Sequence, residues 1–255
     1  MIEEITVGQI GELMEQGKSR QGEKPRITRN HLQFFLSKPD ETLMSARKYF
    51  TPLFRNLIPT RLLGVWLEVK KIAQSMSYDG PIAWLVKGGF NLEMAPKLGP
   101  CYYDFTILKG RVFESHSTIY SLVFWIPRVL ADSNNKTASQ QGVDLCEWSK
   151  YFRSHNFPID FGFSFSRASV LAGLILSHFQ LTGERVPLNG QYVRTSTRAN
   201  NKTWNDPLTD YLCLGGFTNN DGLAISGWGS DGAAVANVWT WPFHLESLNP
   251  GEIDI

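Results

Sequence analysis

Tyr211-Leu-Cys-Leu-Gly-Gly-Phe217, Leu223-Ala-Ile-Ser226 and Ala233-Ala-Val-Ala-Asn-Val-Trp-Thr-Trp241 are three apolar segments parted by two polar links, Thr218-Asn-Asn-Asp-Gly222 and Gly227-Trp-Gly-Ser-Asp-Gly232. Each link closes on Asp-Gly. Glycine accepts a positive φ without a Cβ clash, and an aspartate side chain can bond the turn backbone, so such links reverse an antiparallel pair. The run predicts a C-terminal three-stranded meander, and with it an antiparallel sheet.

Upstream of the meander, Arg167 to Thr182 follows a helical pattern. Val170, Leu171, Leu174, Ile175 and Leu181 form an apolar stripe, Ser166 stands at the capping position and Gly183 at the stop. A long packing helix is expected over 167–182. Further upstream, Leu62 to Val69, Ile82 to Val86, Cys101 to Leu108 and Thr118 to Ile126 are apolar or β-branched runs. The links between them are short and rich in Gly, Pro and Asp, which favours antiparallel strands. Ala131 to Gly142 reads as a long polar loop. A helix is expected after it, with Asp144 and Glu147 at capping spacing.

The first 60 residues read as helical. Thr6 and Gln9 have capping-box spacing, Ile5 and Ile10 can staple the turn, and Gly17 is a natural stop. After a polar connector, Leu43, Ala46, Phe50, Leu53, Phe54 and Leu57 recur at three- and four-residue steps, with Pro52 as a break. Strands followed by a helix and further strands indicate an α+β fold. The expected organisation is one domain over 1–255, with a helical section at 1–60 and a sheet-containing body at 61–255.

Composition sets the outer limits. The chain has 255 residues, 42% hydrophobic and 13% aromatic, ample for a packed core. Lys plus Arg number 25 against 24 Asp plus Glu, so the basic excess of a nucleic-acid binder is missing. Cys101, Cys146 and Cys213 are odd in number and far apart, which predicts reduced thiols and no disulfide framework. The start, Met-Ile-Glu-Glu-Ile-Thr, has neither a basic nor an apolar leader region, and the longest apolar runs, such as Ser121 to Ile126, fall far short of the ~20 residues that span a bilayer. A cytoplasmic location without membrane attachment is the expectation, and the sequons at Asn135 and Asn201 are expected to stay unmodified.

Local motifs for catalysis fail on inspection. Gly227-Trp-Gly229-Ser-Asp-Gly232 matches the dinucleotide glycine pattern, but a strand-like segment follows where the fingerprint needs a helix. Gly162-Phe-Ser164-Phe-Ser166 resembles a nucleophile elbow with serine where the turn requires glycine. His31, His116, His155, His178 and His244 show no paired spacing, and the cysteines no Cys-x-x-Cys, so no metal and no cofactor are expected. His178 is read as a satisfied histidine bordering the core of its helix.

Polar chemistry concentrates in Glu184 to Trp204. Arg194 and Arg198 are the candidates for gripping an anionic group, with Tyr192 or Trp204 stacking beside it. The competing reading is a solvated loop whose arginines pair with Glu184 and Asp206. Trp239 and Trp241 stand two apart and so share one side of a strand, which fits a sheet cover or interface better than a ligand platform. Two function classes follow. The first is a non-catalytic domain that binds a ligand, an anionic small molecule, or a protein partner. The second is a hydrolase or transferase acting on an anionic small molecule, in which Glu68, Asp104 and Glu114 converge with Arg194 or Arg198 only in three dimensions.

Overall fold

The computed structural model describes residues 44–103, 116–129, 133, 136–154, 165–188, 192–198, 211–217, 222–228, 235–236 and 238–244. It has two sheets. The first orders β1 (Phe50–Leu53), β2 (Ala83–Val86), β4 (Ser121–Val129) and β9 (Val238–His244) as β1-β2-β4-β9, antiparallel throughout. The second orders β3 (Cys101–Tyr103), β7 (Leu223–Trp228), β6 (Tyr211–Gly215), β5 (Tyr192–Arg198) and β8 (Val235–Ala236) as β3-β7-β6-β5-β8. Its β3–β7 and β5–β8 pairings are parallel and the others antiparallel, so the α+β fold with mostly antiparallel sheets holds.

Strand alternation sends the first sheet's side chains into two cores. Ala83, Leu85, Leu122, Phe124 and Ile126 join Val65, Val69 and Ala73 of helix α1 (Leu63–Ser75). Phe50, Trp84, Val86, Val123 and Trp125 face the other way, into a core that also holds Leu212, Leu214, Leu223 and Ile225 of the second sheet. A short helix, α2 (Ala95–Leu98), adds Ala95 and Leu98 to that core. Helix α4 (Ala168–Thr182) lies between the sheets. Its residues Ala168 through His178 are all buried, so it is enclosed all round rather than along one stripe.

The long helix thus lies where the sequence places it, ending at Gly183 with φ 73°. Its start differs. Ser166 does not cap it; the Thr197 hydroxyl of β5 accepts the Ala168 N–H at 2.8 Å, so the cap comes from another element. Helix α3 (Ala138–Ser154) also begins before Asp144. Thr137 and Gln140 form a reciprocal capping box, the Thr137 N–H donating to Gln140 Oε1 at 2.8 Å and the Gln140 N–H to Thr137 Oγ1 at 3.2 Å. The end of the expected loop is therefore helix.

Three further expectations are corrected. Leu62 to Val69 is not a strand but the first part of α1, because Val65, Val69 and Ala73 continue a helical period beyond the apolar run. The helix expected over Leu43 to Leu57 is instead two short 3₁₀ turns around β1. There Pro52 sits in an edge strand, where a missing N–H is tolerated. The meander stops at two strands. β6 and β7 pair as a hairpin, but the far side of β7 is taken by β3, so the chain leaves: β8 joins the opposite edge beside β5, and β9 crosses to the first sheet beside β4. Gly222 is needed for that crowding, since a Cβ there would stand 2.8 Å from the Pro100 carbonyl carbon. The helix expected over residues 6–17 and the turn at Asp231-Gly232 lie outside the described residues.

Candidate functional site

Within the segment singled out by its arginines, residues 192–198 are the strand β5. Along β5, Val193, Thr195 and Thr197 are buried toward α4: Val193 enters the core, the Thr195 hydroxyl donates to the Leu212 carbonyl at 2.7 Å, and Thr197 caps the helix. Tyr192 and Arg194 occupy the alternate positions, Tyr192 half-buried and Arg194 only 2% exposed. Arg194 Nε donates to Gln141 Oε1 of α3 at 3.0 Å, and Gln141 Nε2 donates to the Ser133 carbonyl at 2.9 Å. Arg194 is therefore held inside the fold rather than on a solvated loop. From Arg194 to Arg198 four residue steps of β5 match two steps of β6, Cys213 to Tyr211, so an irregularity re-aims the strand end that carries Arg198. Trp204 lies outside the described residues.

Of the acids expected beside these arginines, the one among the described residues, Glu68, is not there. Glu68 is on α1, packed on the far face of the first sheet, and its carboxylate pairs with Lys71. Asp104 and Glu114 lie outside the described residues. Burial pushes the Cys213 thiol up to about 12, against the opposing pull of Arg194, and burial also raises Cys101. Both are neutral thiols at neutral pH, not nucleophilic thiolates. Among the described residues no three His, Cys, Asp or Glu side chains form a metal-binding group, and no helix is long and apolar enough to cross a membrane.

A second constellation stands between the first sheet and α4, and residue spacing carries no signal of its state. Trp84 of β2 and Trp125 of β4 meet edge to face at 6.1 Å, and His178 of α4 meets Trp125 at 6.0 Å. Tyr78 lies 6.1 Å from the His178 ring and donates its hydroxyl to the Pro81 carbonyl at 3.0 Å. The Arg128 guanidinium lies 5.1 Å over the Tyr78 ring. It reaches there from β4 just past Pro127, where the pairing with β9 shifts register between Ile126 and Val129. Burial, and then the charge of Arg128, pushes the His178 imidazole down to about 4, so it is neutral at neutral pH.

His178 was expected to be satisfied, and it is not. Its Nδ1, the Ser177 hydroxyl and the indole N–H groups of Trp84 and Trp125 are shut off from solvent with no hydrogen-bond partner among the described residues. Alternation in β2 and β4 could have placed the two tryptophans on one face, but pairing of their N–H groups depends on what packs above them. No family model, no curated protein and no solved structure matches the chain.

Proposed function

We propose that this chain is a non-catalytic binding protein that takes an anionic small molecule, free or carried on a protein partner, at the Arg198 end of β5 in the second sheet. The observation that carries the reading is the fixed arginine: Arg194 is set by Gln141 from α3, beside Tyr192 and one strand irregularity before Arg198. A buried arginine held in this way anchors the strand around it, so the contact groups beside it lose less freedom when a ligand arrives. In this arrangement Arg194 is a positioning residue, while Tyr192, Arg198 and Trp204 make the contacts. The same proposal places the protein in a reducing, cytoplasmic setting, with Cys101, Cys146 and Cys213 as free thiols.

Thermal shift against a panel of anionic metabolites and phosphorylated or acidic peptides supplies the ligand. Arg198→Lys keeps the charge but loses the two-pronged geometry, and should fold normally while weakening that ligand about tenfold, or about 1.4 kcal/mol. Arg194→Lys should instead lower the melting temperature, because a buried hydrogen bond to Gln141 is lost. A ligand indifferent to both Arg198→Lys and Tyr192→Phe would move the site away from β5.

A further inference from the structure

Folded proteins pair nearly all of their buried polar atoms, directly or through ordered water, so several orphans at one interface call for an occupant. The orphans here come from facing elements. Trp84 and Trp125 project from the first sheet toward α4, with ring centroids 6.1 Å apart, and His178 approaches Trp125 from the helix at 6.0 Å. Ser177 precedes His178 and lies one helical turn beyond Gly173, which packs directly against Phe50 of the same sheet. The four unmatched atoms are two indole nitrogens, a hydroxyl and one imidazole nitrogen.

Their chemistry selects the occupant. An indole N–H only donates, a hydroxyl can donate, and an imidazole nitrogen donates in one tautomer. A partner for this set must offer acceptors on several sides. The charged and titratable groups beside His178 are Arg128 and Tyr78, and Glu184 acts on Tyr78 in turn. A metal cation would be repelled by Arg128 and would find no carboxylate among the four groups. An apolar molecule would leave all four unmatched. A small anion would satisfy the donors and sit in the field of Arg128.

We propose that the interface between α4 and the first sheet is a binding site for a small monovalent anion, held by the Trp84 and Trp125 indoles, the Ser177 hydroxyl and the His178 imidazole. This site is separate from the Arg198 end of β5 and does not depend on it. All four atoms are closed to solvent, so exchange requires the C-terminal turns of α4 to lift. Gln180 holds those turns down: its Nε2 donates to the carbonyls of Met44 at 2.9 Å and Leu98 at 3.3 Å, and its Oε1 accepts the Ala46 N–H.

The test uses the full chain in sodium gluconate, a bulky counterion, replaced at constant ionic strength by chloride, bromide, nitrate or formate. Melting temperature and tryptophan emission are followed together. At least one small anion should raise the melting temperature saturably and change the emission with the same midpoint. Ser177→Ala and Trp125→Phe should each weaken that midpoint tenfold or more, whereas Lys71→Gln, at an exposed position of α1, should respond as the wild type. If Trp125→Phe fails to fold, Ser177→Ala, the smaller change, decides. Identical melting in all salts would overturn the proposal and leave water as the partner of these groups. A saturable effect that survives Ser177→Ala and Trp125→Phe would also overturn it, by placing the anion elsewhere.

Discussion

His178 is an imidazole that the fold keeps neutral, and this has a measurable cost in acid. Its value falls from 6.5 to about 4, with burial the larger cause and Arg128 the smaller. The unfolded chain therefore takes up a proton at higher pH than the native protein does. Stability from this group is complete above 6.5, is lost as pH falls from 6.5 toward 4, and is fully lost below that. At about 1.4 kcal/mol per unit the loss amounts to about 3 kcal/mol. Denaturation of wild type and His178→Gln between pH 7 and pH 4 should show the wild type losing more by that margin. Superimposable pH profiles would mean that this imidazole titrates alike in both states. Tyr78, which packs on the ring, and Arg128, whose charge adds to the shift, are 100 and 50 positions away in the chain, so spacing around His178 could not reveal it.

At the scale of the element, α4 is the structural centre, because it contributes to one core with both sheets at once. Leu174 is completely buried there, and Leu174→Ala should cost roughly 2–5 kcal/mol in chemical denaturation. A loss below about 1 kcal/mol would show that the helix is not central. The extent of α4 was legible in its own residues, since a run as apolar as Val170 to Leu176 ending at glycine has few other solutions. Its closest contacts were not. A Cβ at Gly173 would overlap the Phe50 ring, and its N-terminal cap is Thr197, so both ends of these contacts come from strands distant in sequence. For α1 the apolar run alone points to a strand; the helical period shows only when Ala73 is included, where the helix packs on Leu85 and Phe124.

For the molecule as a whole, the shared core predicts one unfolding event. Phe50, Trp84 and Trp125 of the first sheet and Leu212, Leu214 and Ile225 of the second pack around the same helix, so neither sheet can lose its partner and keep a dry face. Tryptophan emission and far-ultraviolet circular dichroism should report coincident transitions in denaturant; two separated midpoints would make the sheets independent units. The sequence by itself determined the α+β class, the apolar strands β2, β4, β6 and β7, the hairpin of the last two and the long helix, because each rests on periodicity and turn chemistry within a few residues. Only the tertiary structure decided that the third meander segment crosses to the other sheet, since that depends on β3 already occupying the edge of β7. It alone also decided that Arg194 lies inside the fold against Gln141 and that four polar atoms beside α4 have no partner among the described residues, because hydrogen-bond satisfaction belongs to the neighbours that packing brings together and not to the residue itself.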